Sequence, residues 1–193
     1  KTEWDSGYGV CFPDHRRQLA TPYRSLASAD FAAALERELA PETLLVRRRA
    51  AALDAGGVTL ADGSRISARA VVDARGFAPT AHLKGGWQVF MGRHMRLKQP
   101  HGLIQPVIMD AEVEQLGGYR FVYVLPLSAQ EVFIEDTYYQ DHPVLDRSAL
   151  SARLDSYAAA QGWDGELLGH ESGVLPVITG GSFAAFQSAN RIP

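Results

Sequence analysis

Hydrophobic residues recur with two different periods along the 193-residue chain. Over residues 86–139 they alternate with other residues at period 2, which predicts β-strands separated by Gly or Pro. On either side the spacing is helical: one helix is predicted from Ser28 to before Pro41, and a second from after Asp146 to Gly162. This order predicts a mixed α and β fold, in which an antiparallel sheet presents one broad apolar and aromatic face.

A compact β-meander is predicted between the first helix and this sheet. Residues 44–74 contain an apolar and basic strand, a turn at Gly56, and a hairpin turn at Asp62-Gly63, because Asp-Gly favours the backbone of tight hairpins. Residues 71–76 are typical of a short apolar strand that ends in a glycine turn. Such a turn lets a cofactor approach the backbone closely, although an ordinary exit from a strand to a loop is the simpler interpretation.

Composition narrows the classes of protein to which the chain can belong. A net charge of -3, with 46% hydrophobic and 21% charged residues, is typical of a globular protein and gives no reason to expect a nucleic-acid partner. The longest apolar run, residues 121–127, is too short to cross a membrane as a helix. The single cysteine, Cys11, excludes an internal disulfide and favours a reducing, cytoplasmic compartment.

Several catalytic motifs are missing from the sequence. The six histidines have no spacing typical of a metal site, so no metal is expected. There is no G-x-S-x-G motif or P-loop, which disfavours the common hydrolases and nucleotide kinases. The G-x-G-x-x-G fingerprint is also absent, so the pyrophosphate loop of any dinucleotide site is expected upstream of Lys1.

Two adjacent carboxylates interrupt an apolar strand. Glu135 and Asp136 must point to opposite faces, because side chains alternate along a strand, so they are not a paired acid and base. Period 2 alone leaves open which of them faces a pocket. A carboxyl group in an apolar cavity has a raised pKa, which suits an acid that holds its proton near neutral pH. The alternative is a structural role, as the partner of Arg120 or of a backbone amide.

Two further features of the sheet region are candidates for function. His101 is a candidate proton carrier, although a histidine in a turn more often makes ordinary hydrogen bonds. Aromatic residues concentrate in the same region, where core packing is their usual role. Rings that line a cavity would also suit a flat or elongated hydrocarbon and would stabilise a carbocation.

A series of collinear motifs resembles the bacterial lycopene beta-cyclase family. The motifs occupy residues 87–92, 100–103, 109–111, 118–127 and 133–137, with shorter matches at 71–76, 157–159, 162–163 and 173–176. The resemblance therefore covers nearly the whole chain. It implies a flavoprotein fold, in which an α/β FAD/NAD(P)-binding domain carries an α+β insert with an antiparallel substrate-binding sheet.

The resemblance also implies a reaction in carotenoid biosynthesis. Family members cyclise the ψ ends of lycopene, or of another linear carotene, to the β rings of β-carotene, an isomerase reaction without net redox change. They use noncovalently bound FAD in its reduced form, with NAD(P)H as the reductant. On this pattern Glu135 is the catalytic acid and Asp136 its neighbour, while Asp73, Arg75 and Gly76 lie near the flavin.

The expected organisation is an internal portion of such an enzyme. Residues 1–80 and 146–193 are assigned to the FAD-binding domain and 81–145 to the substrate sheet. The isolated chain is expected to be inactive, and the whole protein cytoplasmic and peripheral on the inner membrane, where its substrate dissolves. Two alternatives remain open: a flavin-dependent monooxygenase of similar fold, and a non-catalytic module that binds a carotenoid or lipid.

Overall fold

The computed structural model describes residues 1–189, which form a mixed α and β structure rich in strands. The strands are β1 (Thr2–Trp4), β2 (Tyr8–Phe12), β3 (His15–Leu19), β4 (Tyr23–Ser25), β5 (Ala50–Asp54), β6 (Gly57–Leu60), β7 (Arg65–Ser67), β8 (Leu83–Leu97), β9 (Val107–Asp110), β10 (Arg120–Pro126), β11 (Glu131–Gln140) and β12 (Gly165–Gly181). The helices are α1 (Ser28–Glu38), α2 (Arg147–Ala160) and α3 (Phe183–Ala189). Both helices predicted from the sequence are therefore confirmed.

The chain divides into two compact units. One unit contains residues 1–34 and 86–177, and the other contains residues 35–85 together with the chain from Ile178 onward. Which segments belong to a flavin-binding domain stays a prediction. Residues 190–193, at the end of the third predicted segment, lie outside the described residues.

A seven-stranded sheet forms the centre of the first unit. Its order is β12-β8-β11-β10-β9-β2-β3. The predicted antiparallel pattern holds for β8, β11, β10 and β9, but β2 pairs with β9 in parallel, so the whole sheet is mixed. The long strand β12 was missed, because its glycines and Pro176 hide the alternation; an edge strand tolerates both residue types.

Strands β10 and β11 are apolar on both faces, and the predicted apolar and aromatic face is one of the two. On one side, aliphatic side chains of β10 and β11 such as Val124 and Ile134 pack against Leu154 of α2. On the other side, which we call the aromatic face, β10 and β11 present Phe121, Tyr123, Leu125, Phe133, Glu135 and Thr137. Alternation predicts two faces for each strand, but it does not predict how the faces of neighbouring strands are matched.

Helix α2 is fixed over the aliphatic face by its own sequence. Asp146 caps its N-terminus, with the side chain accepting a hydrogen bond from the Ala149 amide, and Gly162 follows its C-terminus at φ +70°. Leu150 and Leu154 are completely buried. Burial of two such side chains is worth roughly 3–6 kcal/mol, which makes this helix the main cover of that face.

The second unit contains the predicted meander as the three-stranded sheet β5-β6-β7. Its hairpin forms at Asp62-Gly63, where the Asp62 carboxylate accepts a hydrogen bond from the Ser64 amide. The first predicted strand of the meander forms as β5 but begins only at Ala50, whereas the strand predicted at residues 70–74 is wrong: these residues are irregular, with Val72 90% exposed. A strand needs a neighbouring backbone for its hydrogen bonds, and within residues 1–189 no strand pairs with 70–74.

Within residues 1–189, none of the three helices is long enough and apolar enough to cross a membrane. The apolar positions predicted for α1 are partly exposed, with Phe31 and Leu35 each about half accessible.

Candidate functional site

Glu135 lies in the middle of the aromatic face. It is directly opposite Tyr123 on β10 and Gly92 on β8. Thr137, two residues further along β11, donates a hydrogen bond from its hydroxyl to Oε1 of Glu135 at 2.9 Å. The carboxyl group is therefore held on one side by a hydroxyl, while its surroundings are phenyl and phenol rings and a bare glycine.

Burial raises the pKa of Glu135 from 4.5 to about 7. The apolar surroundings disfavour the charged carboxylate, and the negative charge of Glu171 on β12 adds to the effect, whereas the hydrogen bond from Thr137 opposes it. The phenols of Tyr23 and Tyr123 also lie near this carboxyl group, and burial raises the pKa of both. Near neutral pH Glu135 is thus partly protonated and able to donate a proton.

This raised pKa predicts a pH-dependent stability. The folded state binds a proton at Glu135 that the unfolded chain has already lost between pH 4.5 and 7, so stability falls as pH rises through that window. Glu135→Gln removes the cost of ionisation. We expect it to raise the free energy of unfolding by about 3 kcal/mol at pH 8 and to change it little at pH 4.5.

Denaturant unfolding of the full-length protein at the two pH values checks this prediction. A control is Glu131→Gln on the same strand, because the ion pair with Arg96 lowers the pKa of Glu131 and its removal should not stabilise the protein at pH 8. Equal effects of Glu135→Gln at both pH values would mean that the carboxyl group is not a buried acid.

Asp136 points to the aliphatic face and is completely buried there. Arg120 donates to both of its oxygens, from Nε to Oδ1 at 2.7 Å and from Nη2 to Oδ2 at 3.2 Å. Arg153 of α2 donates from Nε to Oδ2 at 2.9 Å, and its guanidinium lies 5.3 Å from the ring centre of Tyr138. These contacts give Asp136 a role in joining α2 to the sheet, and they match the partnership with Arg120 that the sequence left open.

A cavity of about 470 Å³ opens on the aromatic face. Leu125, Leu127 and Phe133 form an apolar part of its wall. The rest of the lining is mostly polar and includes Lys1, Asp30, His94, His170 and Glu171. Glu135 is not part of the wall, but Phe133 precedes it on the same face of β11. Alternation left open whether Glu135 or Asp136 faces a pocket. The face of Glu135 borders the cavity, whereas α2 covers the face of Asp136.

His101 lies in the loop between β8 and β9, where it contacts the turn between β10 and β11. Its Nε2 is 2.6 Å from the Ser128 carbonyl, and its Nδ1 accepts a hydrogen bond from the Leu103 amide. Ser128 lies in the turn before β11, and Glu135 is four residues beyond the start of that strand, a separation of roughly 13 Å along the strand alone. The structure thus does not bring His101 together with the two carboxylates, and its role as a proton carrier stays a prediction.

Asp73, Arg75 and Gly76 lie in the irregular segment of the second unit. Arg75 donates from Nε and Nη2 to the two oxygens of Asp73, both at 2.9 Å, and this pair lowers the pKa of Asp73 to about 2. Gly76 has φ +90°, and a Cβ there would meet no atom within 4 Å. The three residues form an open turn whose charges neutralise each other, so by themselves they do not enclose a flavin.

Sequence reasoning missed two features of the aromatic face. Glu171 is on the unpredicted strand β12, and no motif marks it. The contact between the Phe133 ring and Gly92 was also missed, although the glycine inside an alternating strand is a signal of close packing. Pairing of β8 with β11 was needed to place the two residues together.

The family model and the curated relatives that match this chain agree on one family. The model of the family described as lycopene cyclase protein matches residues 1–192. The chain is 44% identical to the lycopene beta-cyclase of Pantoea ananas over 180 residues, covering 93% of this chain and 47% of that protein. It is 45% identical to the lycopene beta-cyclase of a Paracoccus species over 187 residues, covering 95% and 48%. The chain thus spans about half the length of the curated relatives it matches.

A solved structure has a similar fold. It is described as the peptidyl tryptophan dihydroxylase QhpG, essential for tryptophylquinone cofactor biogenesis. The TM-score is 0.62 with 18% sequence identity, over 93% of this chain and 43% of that one. At this identity the similarity concerns the fold alone.

Proposed function

Because the chain belongs to the lycopene cyclase family, we propose that the protein containing it cyclises the ψ ends of lycopene, or of a related linear carotene, to β rings. The observation that carries the proposal is Glu135, a largely buried carboxyl group with a pKa raised to about 7 on an aromatic face beside a cavity. Such a group is a proton donor in apolar surroundings, which is what acid-catalysed cyclisation of a hydrocarbon needs.

Glu135 begins the proposed reaction by protonating a terminal carbon–carbon double bond. The electron pair of a neighbouring double bond then closes the six-membered ring, and a carbocation remains on a ring carbon. Loss of a ring proton to the Glu135 carboxylate restores the acid and gives a product with the same formula as the substrate. In this scheme the apolar side chains of Leu125 and Phe133, on the same face as Glu135, shield the cation from water, which would otherwise capture it.

Thr137 and Tyr123 position the acid in this scheme. The Thr137 hydroxyl fixes one carboxyl oxygen, which leaves the other free to face the substrate. Tyr123, opposite Glu135 on β10, is held by an edge-to-face contact with the buried Phe121, at 5.2 Å between ring centres. The acid therefore sits on rigid strands, which favours a fixed direction of proton transfer.

We further propose that the whole protein uses reduced FAD, with NAD(P)H as the reductant. Asp73, Arg75 and Gly76 remain candidates for contacts with it, but the described residues do not by themselves form a flavin site, and no step above depends on the cofactor. Support comes from the family and from relatives about twice the length of this chain. Peripheral attachment to the cytoplasmic side of the inner membrane is proposed because the substrate is a membrane-dissolved hydrocarbon.

The test is an assay of the full-length protein with lycopene under anaerobic conditions, with FAD and NAD(P)H. We expect β-carotene, of the same mass as the substrate, only when the flavin is reduced. Absence of any cyclised product would contradict the proposal. A product that forms only with oxygen and is heavier than the substrate by an oxygen atom would favour the monooxygenase alternative. Unchanged lycopene that copurifies with the protein would favour a binding module.

A further inference from the structure

A phenyl ring lies next to Glu135 on the aromatic face. Gly92 is the residue of β8 directly opposite Glu135, and it has no side chain. The Phe133 ring fills that place: a Cβ built on Gly92 would come 2.8 Å from Cε2 of Phe133 and closer still to Cζ. Directly opposite residues have Cβ atoms about 5 Å apart, so the ring edge lies roughly that far from the Glu135 Cβ.

The same ring lines the cavity. Phe133 forms part of its apolar wall with Leu125 and Leu127, whereas Glu135 is not in the wall. Phe133 therefore borders both the acid and a space of about 470 Å³, and its ring belongs to the apolar part of a wall that is otherwise mostly polar. No charged side chain stands between the ring and Glu135 on β8, because position 92 is a glycine.

We propose that Phe133 is a catalytic residue of the cyclisation, whose π face stabilises the carbocation that forms beside Glu135. This inference rests on the proposed function. The face of an aromatic ring carries negative potential and attracts a cation, more strongly where water is excluded. Gly92 is the matching positioning residue, since any larger side chain there would displace the ring.

The ring changes no bond during the reaction. Glu135 gives its proton to the terminal double bond, the neighbouring π pair forms the new ring bond, and the Glu135 carboxylate takes back the proton that the ring loses. Phe133 neither gives nor accepts an electron or a proton. Its contribution is confined to the cationic state, so it should affect kcat and leave substrate binding nearly unchanged.

Phe90 provides a matched control on the same face. It is opposite Thr137 on β8, and its ring lies over another glycine, Gly173, where a built Cβ would come 2.6 Å from Cε1. Phe90 is not among the residues that line the cavity. The two rings thus share packing over a glycine but differ in access to the cavity.

The test replaces Phe133 in the full-length protein with mono-, di- and trifluorophenylalanine, which weaken the negative face of the ring while nearly keeping its shape. With lycopene and reduced FAD, we expect kcat to fall stepwise, by about 10-fold for the trifluoro ring, with KM changed less than about twofold. The same series at position 90 should leave both constants unchanged.

Each outcome is informative. A kcat that does not depend on fluorination at position 133 would overturn the inference while leaving the cyclase function intact. Equal losses at positions 90 and 133 would also overturn it, because they would reflect general packing. If the unmodified protein gives no cyclised product, the proposed function fails, and this inference fails with it.

Discussion

Glu135→Gln in the full-length protein is expected to lower the rate of cyclisation by about 10²- to 10⁴-fold. The amide has nearly the shape of the carboxylic acid and can still accept the hydrogen bond from Thr137. It has no acidic proton, however, so it cannot protonate a double bond. Binding of lycopene should persist, because the cavity wall that includes Phe133 is unchanged.

The measurement is the rate of β-carotene formation together with a lycopene binding assay. Glu131→Gln is the control, since Glu131 lies on the same face of β11 but forms an ion pair with the half-exposed Arg96. That variant should keep its activity. Unchanged cyclisation by Glu135→Gln would remove Glu135 from the role of acid. A protein that only carries carotenoid would have no turnover to lose.

Asp136→Asn is expected to lower the free energy of unfolding by about 3–5 kcal/mol. Its charge neutralises Arg120 and Arg153, and the carboxylate is completely buried at the junction between α2 and the sheet. An amide would leave two guanidinium groups without their counter-ion, one of them almost fully buried. For a chain of this size, we expect the melting temperature to fall by roughly 10 °C.

Asp155→Asn is a matched control for this prediction. Asp155 also joins α2 to the sheet, through Arg93 of β8, but it is 67% exposed, so its removal should cost less than about 1 kcal/mol. Replacing Asp136, Arg120 and Arg153 together by apolar residues should recover much of the lost stability. If Asp136→Asn lost activity without losing stability, Asp136 would have a chemical role instead.

The sequence was sufficient for those parts of the fold that depend on local pattern. The caps and spacing around α2 and the Asp62-Gly63 turn predict those elements because their causes lie within a few residues. The opposite directions of Glu135 and Asp136 follow from alternation alone, and the structure confirms them. The strand predicted at residues 70–74 was wrong because β propensity belongs to single residues, whereas a strand also needs a neighbouring strand with which to form hydrogen bonds.

The candidate site depended more on pairing between distant segments. Alternation could not show that α2 covers the face of Asp136 and supplies Arg153 to it, which leaves Glu135 on the face beside the cavity. Glu171 and the Gly92–Phe133 contact could not be found from one sequence, since they require the order of β12, β8 and β11 in the sheet. A histidine such as His101 can transfer protons, but this one is held against the turn between β10 and β11, away from Glu135, and the sequence alone does not reveal that contact.

The measurement that tests the account most directly is the pH dependence of kcat/KM for the full-length enzyme and for Thr137→Val. If Glu135 is the proton donor, the rate should fall above a pKa of about 7. The Thr137 hydroxyl lowers that pKa by stabilising the carboxylate, so the fall should begin at higher pH in Thr137→Val. A rate that is constant from pH 6 to 9, or a fall that Thr137→Val does not move, would contradict the assignment of Glu135 as the acid.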